Sequence, residues 1–394
     1  MINLDSSRVR SIDAFRALTM FLMIFVNDVE DVPGVPQWIK HVGENADGLG
    51  LADTIFPAFL FIVGLSIPFA FQSRIVRGDT RLLKRIFTRS FALIFIGFFH
   101  SNMETYNEAI AKLPKPVWES LVTFGFFFLF LDYSRFKKYK RYLFQGFGAA
   151  LIIAMSALYK TSEPGHTWLH FSWWGILGLI GWAYLYCALI YYYSKGALWV
   201  QAAFWLFFMF LNIDIHFGWF DFLSKTYNYL WMAGNGAMQS FTMAGIFVAV
   251  LYMRLSKEKE LRMLWVGMLL MAVILFNLGF IVRLYSGGIS KARDTPSWVL
   301  ICTGISLVAY LFFVLLVDVW KKYKLFKPIE PAGTNTFTCY LVPFLFYPAY
   351  EMSNLGYPEV LSEGMGGLIK CIVFSFVMVW IAGLLAKINV RLKI

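Results

Sequence analysis

The stretch LGLADTIFPAFLFIVGLSIPFAF, residues 49 to 71, holds one charged side chain, Asp53, among its 23 positions. A helix needs about 20 mostly apolar residues to cross the hydrocarbon of a bilayer, where no water is present to satisfy the backbone. Reading outward in both directions finds the same pattern at 12 to 29, 86 to 103, 117 to 134, 143 to 160, 174 to 193, 197 to 213, 237 to 255, 263 to 282, 297 to 319, 333 to 353 and 366 to 386. The expected fold is all-α, a polytopic integral membrane protein of about 12 transmembrane helices within a range of 10 to 12. The spans at 174 to 193 and 197 to 213 are divided only by Ser194 to Gly196, and the eleventh is punctured by Pro343 and Pro348. Composition agrees: 59% of the 394 residues are apolar and 15% charged, against roughly 45–50% and about 25% in soluble domains. A soluble globule is excluded.

The net charge of +11 has two sources to choose between, a nucleic-acid surface or the retention of Lys and Arg on the cytoplasmic side of a membrane. The basic runs QSRIVRGDTRLLKRIFTR (72 to 89), RFKKYKR (135 to 141), RLSKEKELR (254 to 262), KKYKLFK (321 to 327) and KINVRLK (387 to 393) all fall on one side of a twelve-span layout. That side then carries 26 of the 35 basic residues, and the other carries 9, among them Lys40, Lys225, Lys291 and Lys370. Both termini are expected in the cytoplasm, and the charge needs no nucleic-acid partner. Cys187, Cys302, Cys339 and Cys371 each lie in an apolar run without metal-ligand spacing, so they read as packing residues and no metal site is expected. The polar start MINLDSSRVRSID and the absence of a small-residue cleavage site after the first apolar stretch predict a retained first helix. With short connections and no internal repeat, residues 1 to 394 are expected to form a single membrane domain.

Ionisable side chains within spans mark function by default, because each costs roughly 2.5–3.5 kcal/mol at the bilayer centre on insertion scales. The first span carries Asp13 and Arg16, three apart on one face, near its cytoplasmic end, and Asn27 and Asp28 at its outer end. Arg16 and Asn27 are separated by about 16 Å of helix. The loop DVEDVPGVPQWIKHVGENADG follows, with His41, and Asp53 stands just inside the second span. Each has two readings. Asp13 and Arg16 form a structural pair or serve a phosphate-bearing ligand, Asn27 and Asp53 finish helix ends or take part in chemistry, and His41 is a surface-loop histidine or a proton acceptor. Composition and spacing leave a transporter and a membrane enzyme both open.

The segments SIDAFRALTMFLMIFVN (11 to 27), KH (40 to 41) and DGLGLADTIFPAFLFIVGLS (47 to 66) resemble the opening of the heparan-α-glucosaminide N-acetyltransferase family of transmembrane acetyltransferases. RSFALIFIG (89 to 97), GNGAMQSFTMAGIFVAVLY (234 to 252), SKARDTPSWVL (290 to 300) and PAGTNTFTCYLVP (331 to 343) continue the resemblance in order. Three departures accompany it: no large luminal N-terminal domain, which with the polar start suggests a bacterial homologue of the inner membrane; an extra helical pair near 174 to 213; and PVWESLVTFG where the family carries a glycine-valine-leucine-glutamine-arginine segment, which introduces Glu119.

The resemblance implies transfer of an acetyl group from cytoplasmic acetyl-CoA to the amino group of a glucosamine-type sugar on the outer side. It implies catalytic roles for His41, Asn27 and Asp53. A base near neutral pH suits imidazole, an amide can donate to a developing oxyanion, and a carboxylate can orient the ring. Arg16, Arg85, Arg89, Asn335 and Thr336 are expected toward the nucleotide, and Asp28, Asp47, Trp298 and Tyr340 toward the sugar. The expected partners are acetyl-CoA as co-substrate, the sugar acceptor and the lipid bilayer, and the sequence leaves room for a homodimer. An amino-sugar or oligosaccharide transporter, and an O-acetyltransferase acting on an envelope glycan, are the competing expectations. Whether His41 carries the acetyl group or only takes a proton in a ternary complex is open in the sequence, and the ternary path is preferred.

Overall fold

A computed structural model describes residues 9 to 219, 234 to 257 and 261 to 393. Arg8, Lys225 and Lys259, counted above among the basic residues, lie outside the described residues. The chain runs through α1 (Arg10–Val29), α2 (Leu51–Val76), α3 (Arg81–Glu104), α4 (Lys115–Phe130), α5 (Lys138–Leu158), α6 (Gly175–Ser194), α7 (Leu198–Phe217), α8 (Ala237–Lys257), α9 (Leu261–Arg283) and α10 (Pro296–Phe313). Three short helices follow, α11 (Glu330–Thr334), α12 (Thr336–Leu341) and α13 (Pro343–Met352), and then α14 (Gly364–Lys387). Among the described residues there is no β-strand, only an isolated bridge between Leu131 and Leu392.

Among the described residues, eight helices are long and apolar enough to cross a membrane: α2, α5, α6, α7, α8, α9, α10 with its π-helical extension Val314–Val319, and α14. The twelve expected spans each meet helix, but not always one helix. The span expected at 333 to 353 is broken in two places. Asn335 sits at φ −125° and ψ 41°, outside helical geometry, between α11 and α12, and Pro343, which has no N–H to donate, opens α13. Helix α4 has 16 residues, and α1 and α3 carry charged side chains that lower their apolar content.

Helix α1 is central. It buries Ala17, Met20, Met23 and Ile24 and packs on α2, α10, α11 and α14. Helix α2 lies along α8 so closely that a Cβ on Gly64 would strike the Thr242 carbonyl, and one on Gly245 would strike that of Phe61. Only glycine permits that approach, which fixes α2 against the bundle.

The connections gather into two ends. At one, the loop after α1 meets the loops before α10 and α14, through Gly48 N–H to the Ile289 carbonyl (3.1 Å) and Gly364 N–H to the Pro33 carbonyl (2.8 Å). At the other, the C-terminal tail pairs with the α4–α5 connection through Asp132 N–H to the Arg391 carbonyl and Lys393 N–H to the Phe130 carbonyl, both 2.8 Å. The Arg391–Asp132 ion pair reinforces it at 2.8 Å. The four cysteines are buried and free.

Candidate active site

Asp53 occupies the third position of α2, whose N-cap is Gly50. The first N–H groups of a helix lack intrahelical acceptors, and a carboxylate there supplies one while meeting the positive end of the helix dipole. One oxygen of Asp53, Oδ2, accepts the N–H of Gly50 (3.0 Å) and of Val42 (3.1 Å). The other accepts from His41 Nδ1 at 2.6 Å. Gly50 also lies so close to the Lys40 carbonyl that no side chain would fit, which draws the histidine loop onto the helix start. Because the carboxylate can only accept, Nδ1 carries the proton and Nε2 of the neutral ring is left as acceptor. The carboxylate is sealed, 2% exposed, while the imidazole is 30% exposed and can be reached by a reactant.

A third group completes this cluster. The ammonium of Lys291 lies 3.3 Å from His41 Nε2 and 3.4 Å from Nδ1. Burial pulls it below the ordinary lysine range, and attraction to Asp53, Glu30 and Asp294 opposes that. Its neighbour Asp294 holds a left-handed backbone conformation (φ 49°). Burial pushes the Asp294 carboxyl up to about 6, against a hydrogen bond from Asn235 and attraction to Lys291.

The loops that bring His41 and Lys291 together are tied at several points. Ile289 N–H donates to Asp47 Oδ1 (2.7 Å), Arg283 Nε donates to Asp47 Oδ2 (2.9 Å), and Ser290 Oγ donates to the Glu44 carbonyl (3.1 Å). The Ile289 N–H, helped by Arg283, holds the Asp47 carboxyl below the ordinary range. Trp298, fully buried on α10, donates its indole N–H to the Asp53 carbonyl at 3.1 Å. The structure thus places Asp47 and Trp298, both expected toward the sugar, as braces of the loop and of the first turn of α2.

Asn27 and Tyr340 belong to a different surface. Both line a cavity of about 280 Å³ between the ends of α1, α3 and α4, the start of α6 and the broken α12–α13 segment. His41 is not among its walls, but the main-chain N–H of His41 donates to the Glu30 carboxylate (3.1 Å), one turn beyond Asn27 on the same face. Asp28 takes the Tyr347 hydroxyl at 3.2 Å and stands 3.8 Å from Lys370 Nζ.

The residues expected toward the nucleotide divide between two regions. Arg16 bonds Asp13 (3.2 Å), the Gly333 carbonyl (3.3 Å) and the Ser66 hydroxyl, which brings it to the end of α11 beside Asn335 and Thr336. Thr336 Oγ1 donates to the Ala332 carbonyl (2.8 Å), and Asn335 Nδ2 to Thr334 Oγ1 (3.2 Å). Arg85 and Arg89 stand on α3, which packs on α6. Arg89 lies over the Tyr184 ring at 4.8 Å, and Arg85 is exposed, 4.0 Å from Asp79. Sequence reasoning gave no role to Lys291, Glu30 or His100. Lys291 lay inside the quoted SKARDTPSWVL segment, as a basic residue on the side poor in them, and that was the available signal. Among the described residues no group of three or more metal-ligating side chains occurs.

Fold and site together define a polytopic helical protein of membrane type, with a carboxylate-oriented imidazole and a half-buried ammonium at one end of the bundle. No family model matches the chain. Over 98 residues, 24% of this chain, it is 44% identical to heparan-alpha-glucosaminide N-acetyltransferase of Homo sapiens. Over 96 residues it is 43% identical to the protein of the same name from Mus musculus. The matched segment spans 14% of the length of each of these relatives, and within it the resemblance to this acetyltransferase is plain.

Proposed function

We propose that this protein is a membrane N-acetyltransferase that moves the acetyl group of acetyl-CoA to the amino group of a glucosamine-type sugar. The observation that carries the reading is the His41–Asp53 pair at 2.6 Å, an accessible base with a fixed tautomer, in a chain similar to proteins named for that reaction. The free amine attacks the thioester carbonyl, and as the N–C bond forms His41 Nε2 takes a proton from the nitrogen. The C–S bond then breaks and the CoA thiolate leaves with the proton returned from His41, giving the amide and free thiol. Lys291 and the Asn27 amide supply donors for the negative charge that develops on the carbonyl oxygen. At the opposite end Arg16, with Arg85 and Arg89 along α3, offers guanidinium groups to the nucleotide phosphates.

This reading takes α1, α3, α4 and the broken α11–α13 segment as further crossings, twelve in all, with both termini in the cytoplasm of a bacterial inner membrane. Support comes from the alternation of the connections between the two ends and from the basic residues gathered on the end that holds the C-terminal tail. The reaction centre then faces outward, and the acetyl arm must pass along α1 over the roughly 16 Å between Arg16 and Asn27.

The test uses purified protein in nanodiscs with acetyl-CoA and glucosamine, following free thiol and N-acetylglucosamine. Thiol release coupled to sugar acetylation, lost in His41→Ala with the fold intact, is the expected result. Uptake of unmodified sugar into liposomes with no thiol release overturns it in favour of a transporter.

A further inference from the structure

The protein places an amine of its own beside the imidazole. Lys291 Nζ lies 3.3 Å from His41 Nε2 and 3.4 Å from Nδ1. Nearly equal distances put it beside the ring, between the two nitrogens and within a bond rotation of the Nε2 lone pair. Among the described residues no carboxylate forms a close ion pair with it. Asp53, Glu30 and Asp294 attract it from farther off, and burial draws it toward the neutral, nucleophilic amine. Two other lysines of this end are engaged elsewhere: Lys40 Nζ donates to the Glu30 carbonyl at 2.7 Å, and Lys370 Nζ stands 3.8 Å from Asp28.

The backbone around Lys291 is pinned on both sides. Ser290 N–H donates to Thr295 Oγ1 (3.0 Å), Ser290 Oγ to the Glu44 carbonyl (3.1 Å), and Asp294 N–H to the Lys291 carbonyl (3.1 Å). From that fixed base a flexible side chain presents a primary amine, the functional group ascribed to the acceptor, to the ring that serves as base.

We infer that Lys291 is a self-acetylation site, a second acceptor that the protein supplies when no external amine occupies the imidazole. The inference rests on the acetyltransferase reading for its donor, acetyl-CoA. The Lys291 ammonium first gives one proton to solvent through His41 Nε2. The neutral Nζ attacks the thioester carbonyl, and as the N–C bond forms His41 Nε2 takes a second proton from it. The C–S bond breaks and the CoA thiolate leaves with that proton, giving N-acetyl-lysine and free thiol. An alkyl amide does not hand its acetyl group on, so the product is no intermediate. It has also lost the charge that donates to the developing oxyanion, and the modified site is silenced.

The experiment incubates the purified protein in nanodiscs with acetyl-CoA alone, then follows peptide mass spectra, free thiol and the remaining glucosamine acetylation. Lys291 should gain one acetyl group that resists hydroxylamine, which cleaves acetyl-imidazole, while Lys40 gains about tenfold less. Activity should fall about 10²-fold as Lys291 fills, matching Lys291→Met. Saturating glucosamine should slow the modification about tenfold by occupying the base. His41→Ala, shown by a thermal melt to be folded, should leave Lys291 unmodified. Lys291→Arg should keep the activity it starts with through the same incubation. An unmodified Lys291 in a protein that acetylates glucosamine overturns the inference and leaves the acetyltransferase reading intact. Equal labelling of Lys291 and Lys40, or labelling unchanged in His41→Ala, also overturns it, as direct chemical acetylation. Acetylated Lys291 without acetylated sugar upholds the inference and refutes the sugar acceptor, whereas transfer to neither refutes both.

Discussion

Asp53→Asn isolates the orienting role of the carboxylate from its part in the fold. In the native site Oδ2 accepts two backbone N–H groups, from Gly50 and Val42, and Oδ1 accepts from His41 Nδ1. An amide at this position keeps the backbone pair by turning its oxygen toward them, which leaves its NH₂ facing the imidazole. Two donors cannot share that contact, so the ring shifts its proton from Nδ1 to Nε2 and the face toward the acceptor becomes a donor. The base is lost while the loop stays in place. In a hydrolase triad the same exchange lowers kcat by about 10⁴. The imidazole here is 30% exposed and can recover the useful tautomer more easily, so a loss of about 10²–10⁴ in kcat is expected, with acetyl-CoA binding nearly unchanged. The assay is thiol release with glucosamine for wild type, Asp53→Asn, His41→Ala and the double variant. If Asp53 acts through His41, the double variant is no slower than His41→Ala alone. An Asp53→Asn enzyme within threefold of wild type, or a double variant that multiplies the two losses, refutes the reasoning.

Asn27→Ala should lower kcat by roughly 10²–10³ if the amide holds the oxyanion, read by initial rates at saturating acetyl-CoA. Lys291→Met, which removes the ammonium 3.3 Å from His41 Nε2, should lower kcat by about 10²-fold, and Lys291→Arg should retain more of it, in the same assay. Neutralising Arg89 or Arg85 should raise the KM for acetyl-CoA more than it lowers kcat, and equal affinity in both variants would place the nucleotide elsewhere. Asp294 makes stability depend on pH. Its carboxyl keeps a proton up to about 6 in the folded protein and loses it near 4 when unfolded. The folded state therefore binds more protons between those values, and the group's stabilising contribution is full below pH ~4 and lost as pH rises through about 6. Asp294→Asn should flatten the melting temperature over that window relative to wild type, removing a difference on the order of 2–3 kcal/mol.

The bundle was legible because hydrocarbon imposes length and apolarity on each crossing, and the helices fall where the apolar runs fall. The break at Asn335 was not, since the polar GTNT stretch reads equally as a helix with a polar face, and only its backbone angles show the interruption. At the candidate site, the contact between His41 and Asp53 follows from a short loop closing on a helix start, so twelve positions of separation were enough to suggest it. The approach of Lys291 depends on pairing between segments some 250 residues apart, governed by Asp47, Ile289 and Ser290, and one sequence carries no signal for such pairing. Trp298 shows the same gap from the other side: an aromatic residue in a matching segment suggests a ligand contact, whereas burial and an indole bond to the Asp53 carbonyl make it a brace.

The placement of charge within the site follows one physical rule. Of the three groups of this cluster, His41, Asp53 and Lys291, only Asp53 belongs to a long apolar helix, and it stands in the first turn, where free N–H groups offset the cost of a buried carboxylate. Lys291 and His41 sit on loops at the bundle end, where the chain meets water and ionisation costs less than at mid-membrane. On the proposed reading, proton transfer is therefore confined to the end of the bundle. The arginines expected toward the nucleotide stand on α1 and α3, with Arg16 tied to α11 beside the opposite end. An acetyl donor whose phosphates stay with those arginines must extend its uncharged arm, and not its charge, through the apolar middle. The single polar side chain of α1 that waits at the far end of that path, facing the cavity, is Asn27. If, as proposed, its amide holds the donor's carbonyl oxygen, its loss should appear in kcat and not in either binding constant.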